Sequence, residues 1–532
     1  MSQRLATVAV LILTGLLGSL ASAAERRPNV VLILVDDFGY ECVGANGGES
    51  YKTPTLDRLA KTGTRFEQVH VQPLCTPTRV ALMTGLINKR NYTRFGHLDP
   101  SQKTFGNLFH GAGYATCVVG KWQLQGGYDA PKHFGFDEYC LWQLNRRPPR
   151  YANPGLEING QQRDYESGEY GPDIVNDYAI DFVARQKDKP FLLYYPMMLT
   201  HGPYQPTPDS PSWDPKALGE GVNKRPEHFG HMVEYADKLV GRLVSKLDEL
   251  KLRENTLVLV LGDNGTGKGT PSRFQGRNVV GAKGTSTMWG TRVPGIVNWP
   301  GHVQNGQVCQ DMIDTTDFLP TICEVAGIEV PGEWNIDGRS FWAQLRGEKG
   351  SPRDGLYVWY NSNGGPKAKF EFAHDQQYKL YSDGRFYDVS RDDTEKSRLA
   401  DSSLDDNAKA VKAKLQTLID RHQGPRAEYF AKQGTRDEAE TAEGTASDRA
   451  SDKDGSTKPT PSKPADTVPK LKAQDARTTR FEQRDLDHDG KLSWPEFEKT
   501  ATNKGAAKNR FESFDRDKDG VITREEFDRQ PK

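Results

Sequence analysis

Cysteine is scarce: Cys42, Cys75, Cys117, Cys140, Cys309 and Cys323 are the only six in 532 residues. So few cannot staple a chain of this length, which excludes a disulfide scaffold. Charge of one sign is also missing, since 71 Lys and Arg face 72 Asp and Glu for a net charge of −1. Without a basic stripe there is no footprint for nucleic acid. A long apolar run occurs only at the start, where Arg4, the segment Leu5 to Leu20 and Ala21-Ser22-Ala23 read as a secretory signal over residues 1–23. The run is short for a membrane anchor, and no later stretch is apolar enough to span a bilayer. The chain is expected to be exported, periplasmic or extracellular, with no transmembrane segment after signal cleavage.

What is present is more telling. The apolar run Asn29 to Val35 reads as a buried strand and ends in Asp36-Asp37. A second run, Thr256 to Leu261, leads into Gly262-Asp263-Asn264-Gly265. Carboxylates at the C-terminal ends of such strands lie where open α/β sheets bind ligands. Adjacent carboxylates repel unless a cation sits between them, and an all-oxygen set suits Ca²⁺ or Mg²⁺ rather than zinc. Either pair alone would more often be a turn. A third element stands beside them: residues 75–79 read Cys-Thr-Pro-Thr-Arg. Alone, that cysteine would more often be half a disulfide or a small buried hydrophobe.

Further stretches follow in order: Thr53 to Ala60, Gly120-Lys121-Trp122, Thr200-His201-Gly202-Pro203-Tyr204, Lys283-Gly284-Thr285 with Thr291-Arg292-Val293-Pro294, and Arg385 to Val389. Together these motifs make residues 27 to 425 resemble a type I, formylglycine-dependent sulfatase, arylsulfatase-like, of the alkaline phosphatase-like superfamily. The resemblance implies oxidation of Cys75 to formylglycine by a maturation enzyme. It implies a divalent cation on Asp36, Asp37, Cys75 as formylglycine, Asp263 and Asn264. In this reading the hydrated aldehyde attacks sulfur and later collapses to expel sulfate, which a serine cannot do. Arg79 is expected to hold the nucleophile, Lys121 and Lys283 to bind sulfate oxygens, and His201 to protonate the leaving oxygen. The substrate is expected to be a sulfated small molecule or sulfated glycan.

One residue departs from the pattern: Gln123 follows Gly-Lys-Trp where the family commonly has histidine. Glutamine can hydrogen-bond a hydroxyl and cannot take up a proton. A Gln123→His variant is therefore expected to bind substrate similarly but to change turnover or its pH profile, checked by kinetics across pH. His70, His97 and His133 are candidate replacement bases by proximity in sequence. Three rival functions stay open at this point, one of them non-enzymatic, in which the C-terminal tail tethers the protein to a calcium-rich surface. A phosphatase or phosphonate hydrolase of the same superfamily would share the metal site, and an unmodified Cys75 would leave a catalytically silent calcium-binding protein.

The alternation of strand-like runs with amphipathic stretches predicts an α/β fold, a large, mostly parallel sheet flanked by helices. The catalytic domain is expected over residues 27–350 and a smaller antiparallel-sheet subdomain over 351–425, rich in Tyr and Trp. Most of those aromatics are expected in the core, a few against substrate. Residues 434–470 lack large apolar side chains and read as a disordered linker. Residues 476–532 then carry two twelve-residue loops that resemble an α-helical EF-hand pair. Their expected Ca²⁺ ligands are Asp485, Asp487, Asp489, Lys491 through its carbonyl, and Glu496, then Asp515, Asp517, Asp519, Val521 through its carbonyl, and Glu526.

Overall fold

The computed structural model describes residues 26–216, 227–430, 491–500 and part of 508–526. The expected signal, the linker and the first-loop ligands Asp485, Asp487 and Asp489 lie outside the described residues. Among these residues, the chain up to Asp454 forms one compact unit and the chain from Gly455 a second.

In chain order the main strands are β1 (Asn29–Val35), β2 (Thr64–His70), β3 (Ala115–Lys121), β4 (Glu138–Trp142), β5 (Gly155–Ile158), β6 (Gln161–Asp164), β7 (Phe191–Pro196) and β8 (Thr256–Gly262). A hairpin of β9 (Pro271–Phe274) and β10 (Arg277–Val280) follows, then β11 (Arg292–Asn298) and β12 (Gln307–Asp314). Ten of them form one sheet in the order β12-β2-β11-β8-β1-β7-β3-β4-β5-β6. From β8 to β4 every pairing is parallel. The expectation of a mostly parallel sheet holds, with β12 also parallel to β2; the exceptions are β11, antiparallel to both β8 and β2, and the β4-β5-β6 edge. The central strands β1, β7 and β8 are buried along their whole length, as strands covered on both faces must be.

Alternation along β1 feeds two separate cores. Val30, Leu32 and Leu34 pack with Val80, Leu82, Phe105 and Ile322 on one face, and Val31, Ile33 and Val35 with Phe182, Leu239 and Leu243 on the other. Long helices Gly171–Arg185 and His228–Glu249 cover that second face.

The chain then builds a four-stranded antiparallel sheet of β13 (Leu356–Tyr360), β14 (Phe370–His374), β15 (Tyr378–Tyr381) and β16 (Phe386–Asp388). Helix Asp406–Asp420 packs on it, its N-terminus capped by Asp405, which accepts from the Ala408 N–H at 2.7 Å. Tyr357, Trp359, Tyr360, Tyr378 and Tyr381 are all buried, so these aromatics are core. All six cysteines are buried and unpaired.

Between the two sheets, the buried rings of His70 and His374 meet with centroids 4.4 Å apart. Burial, aided by Lys379, lowers His374 to about 3, and burial with the neighbouring His374 and Arg292 lowers His70 well below its ordinary value. Both rings therefore stay neutral in the folded chain at pH values where the unfolded chain binds protons. Stability from this pair is complete above pH 6.5 and falls as pH drops below it. The loss is expected to reach about 2 to 3 kcal/mol at pH 5.5. Urea midpoints measured from pH 7 to 5 check this, the slope flattening in a His70→Gln/His374→Gln variant.

The second unit pairs β17 (Lys491–Ser493) with β18 (Val521–Thr523), Leu492 opposite Ile522. These are the apolar eighth positions of the two loops, and they pack with Phe497 and Phe511.

Candidate active site

Val35 of β1 stands opposite Gly262 of β8 in parallel register, so Asp36-Asp37 and Asp263-Asn264 leave the sheet together at one edge. Gly262 is needed for that approach, because a Cβ there would lie 2.1 Å from the Phe38 carbonyl oxygen. Asp37 takes a left-handed backbone, φ 55°, a strained conformation of the kind that gathers at functional sites. Its N–H donates to Asp263 Oδ1 at 3.0 Å, and its Oδ1 accepts from Asn264 Nδ2 at 2.8 Å.

Cys75 opens the helix Cys75–Thr84, all ten residues of which are buried. Its sulfur thus sits at the positive end of a helix. Burial pushes the thiol well above its ordinary pKa, so the unmodified side chain is a poor nucleophile. Arg79, one turn on, faces the same way and donates to the Lys121 carbonyl at 2.7 Å and to Asp263 Oδ2 at 3.0 Å. Lys121 ends β3 and donates to Asp36 Oδ2 at 2.7 Å. Gly120 before it is required, since a Cβ would meet the Pro196 carbonyl oxygen at 2.0 Å. Lys283 reaches both oxygens of Asp37 at 2.8 and 2.9 Å.

His201 Nε2 stands 3.9 Å from Asp37 Oδ2. Its Nδ1 is 2.5 Å from the Gly202 carbonyl oxygen and 3.1 Å from Arg150 Nη1. The close carbonyl demands a proton on Nδ1, so Arg150 acts on this ring as a neighbouring cation rather than a donor. Burial, then Lys283 and Lys121, hold the imidazole well below its ordinary pKa. Arg150 is a site residue that sequence reasoning missed. It stacks over Trp142 at 4.0 Å, and its Arg-Arg-Pro-Pro-Arg context carries no periodic or motif signal.

Gln123 accepts from Thr76 Oγ1 at 3.4 Å, placing its amide beside the residue after Cys75. Two of the candidate replacement bases are engaged elsewhere, His70 against His374 and His133 with the Pro100 carbonyl at 2.7 Å.

Three carboxylates, Asp36, Asp37 and Asp263, thus face the cations Arg79, Lys121 and Lys283. Burial raises Asp37, and it raises Asp263 to about 7. Burial also opposes ionisation of Asp36, but Lys121, His201, Arg79 and Lys283 outweigh it and hold that carboxyl low. Two acceptors, Asp36 Oδ1 and Asn264 Oδ1, are buried without a hydrogen-bond partner. Orphaned oxygens beside clustered carboxylates are what a hard divalent cation satisfies. Ligand atoms of Asp36, Asp37, Cys75 and His201 all lie within 4.8 Å of one another.

In the second unit, oxygens of Asp515, Asp517 and Asp519 gather within the same distance, 4.8 Å. Asp515 Oδ1 is buried and without a partner, and Gly520 takes φ 89° at the sixth loop position. Glu496 and Glu526 hold the ninth-position residues Ser493 and Thr523 through their N–H groups, each at 2.9 Å.

The sulfatase family model matches residues 28–328, the C-terminal model of N-sulphoglucosamine sulphohydrolase residues 288–423, and the EF-hand model residues 478–499 and 508–529. The chain is 31% identical over 391 residues to N-acetylgalactosamine-6-sulfatase of Mus musculus, covering 66% of this chain and 72% of that one. It is 31% identical to arylsulfatase A of Homo sapiens over 63% of this chain and 71% of that one. Among solved structures, Ps i-CgsB in complex with k-i-k-neocarrahexaose superposes with a TM-score of 0.63 at 26% identity, covering 74% of this chain and 92% of that one. The two named relatives from Mus musculus and Homo sapiens are sulfatases, which decides against the phosphatase reading. The chain belongs to the sulfatase family, is an enzyme that hydrolyses sulfate esters, and carries a pair of EF hands towards its C-terminus.

Proposed function

We propose that this sulfatase is exported, depends on formylglycine at position 75 and on Ca²⁺, and acts on a sulfated glycan. The convergence of Asp36, Asp37, Cys75 and His201 within 4.8 Å carries this reading. Asp36, Asp37, Asp263 and Asn264 would hold the cation, joined by the modified Cys75. Bound there, a divalent cation would polarise the sulfate oxygens and favour an ionised nucleophile, and formylglycine would supply that nucleophile as a hydrated aldehyde.

The remaining residues do the binding and the proton work. Arg79, fixed by the Lys121 carbonyl and Asp263, presents its buried charge beside position 75. Lys121 and Lys283 neutralise sulfate oxygens as point charges. His201 donates to the leaving oxygen from Nε2, and an anionic ester arriving beside the ring favours the protonated form that this requires. Gln123 steadies the nucleophile by hydrogen bonding without exchanging a proton.

Support for a glycan comes from the relatives, one named for N-acetylgalactosamine-6-sulfate and one solved with a neocarrahexaose. The domains we assign are a signal at 1–23, the catalytic domain at 27–350, its subdomain at 351–425, a linker at 434–470 and a Ca²⁺-binding EF-hand pair at 476–532. No helix among the described residues is long and apolar enough to cross a membrane. The deciding experiment is mass spectrometry of the peptide containing Cys75, from protein produced with a maturation enzyme. An aldehyde at that residue is expected, and an intact thiol in fully active protein would overturn the reading.

A further inference from the structure

The loop that carries Lys283 is held from three directions. Its Lys283 N–H donates to the Thr266 carbonyl at 3.0 Å, and the Gly284 N–H to the Pro73 carbonyl at 2.9 Å, two residues before Cys75. The third attachment comes from the small subdomain. Lys379 and Tyr381 alternate on one face of β15, and both reach Ser286. Lys379 Nζ donates to the Ser286 carbonyl at 2.5 Å, and the Tyr381 hydroxyl bonds Ser286 Oγ at 2.7 Å. Behind them Glu395 pairs with Lys379 at 2.6 Å and also bonds the Tyr381 hydroxyl. Both members of the ion pair are buried, their side chains 2% and 7% exposed. The same sheet presents Val358, Tyr360, Phe372 and Tyr381 to Leu74, the residue before Cys75, and to Met288.

A buried ion pair adds little net stability over an apolar one, but it fixes a unique geometry at a chosen point. Here that point is a main-chain carbonyl three residues from a lysine that must meet a sulfate oxygen. We propose that Lys379, Tyr381 and Glu395 form a clamp by which the small subdomain positions Lys283 for sulfate binding. The inference rests on the role assigned to Lys283 above. These three are positioning residues, since none is placed against the reacting atoms.

The test is a double-mutant cycle in the full chain with 4-nitrophenyl sulfate as substrate and inorganic sulfate as competitive inhibitor. Tyr381→Phe keeps the Lys379–Glu395 pair and removes only the hydroxyl. It is expected to lower kcat/KM about tenfold and to weaken sulfate inhibition by a similar factor, in protein still fully folded at the assay temperature, because a misplacement well under 1 Å suffices for such a loss. In a Lys283→Ala background the same substitution is expected to have no further effect, as for residues acting through one another. An equal loss in both backgrounds, or undiminished sulfate inhibition in Tyr381→Phe, would overturn the clamp alone. Full activity in Lys283→Ala would overturn the role of Lys283 and the clamp with it.

Discussion

Cys75→Ser is expected to lower aryl sulfate turnover by ~10⁴-fold or more, as removal of a covalent nucleophile does, while the melting temperature stays at that of the parent. Serine matches cysteine closely in size, so the buried helix Cys75–Thr84 and the contacts of Arg79 and Lys121 are undisturbed. What would disappear, on the proposed chemistry, is the carbonyl carbon at this position, and with it the route by which sulfate is expelled. Substrate binding is expected to persist, because Lys121 and Lys283 remain, so the loss falls on kcat rather than KM. The measurement is steady-state kinetics on purified variant whose mass spectrum still shows serine. A rate within tenfold of the parent would falsify the requirement for an aldehyde.

Stripping the divalent cation with a chelator is expected to have the second largest effect. Turnover should fall about 10³-fold or more, because a Lewis acid at the sulfate oxygens is worth several kcal/mol of transition-state stabilisation. Stability should fall with it, since Asp36, Asp37 and Asp263 are then left crowded at one sheet edge. A ligand at a hundred times its Kd contributes about 2.7 kcal/mol to the folded state. Added Ca²⁺ should restore both activity and melting temperature. The EF hands are proposed to bind Ca²⁺ as well, so the experiment is repeated in Asp485→Ala/Glu496→Ala/Asp515→Ala/Glu526→Ala protein. Turnover there should match the parent and remain as sensitive to the chelator, and turnover already lost before the chelator is added would place the essential ion in the tail.

Much of this site was legible in the chain itself. Continuous apolar runs at Asn29–Val35 and Thr256–Leu261 announce buried strands, and the carboxylates that follow them, ordinary turn residues taken singly, point to a cation only when read together with Cys75. What no run of letters conveys is register. Only the pairing of Val35 with Gly262 places the amide of Asn264 on the carboxylate of Asp37. The antiparallel insertion of β11 between β8 and β2 was equally hidden, because a buried strand is apolar whichever way it runs.

Residues outside any motif were the harder part. Arg150 comes from a proline-rich loop, and Lys379, Tyr381 and Glu395 lie about a hundred residues beyond the lysine they support. Nothing in their spacing marks them, since their partners are set by long-range packing. The aromatics of β13 and β15 admitted two readings until burial separated core from surface.

The complete enclosure of Cys75–Thr84 has a bearing on timing. If position 75 is matured to formylglycine as proposed, the oxidase has to reach a segment that the finished fold encloses on every side. On that proposal activation would have a deadline, set by the closing of the sheet over its own nucleophile. Chains that collapse first would then be stranded as well-folded, inert molecules. The specific activity of a preparation would, on the same proposal, record its folding history.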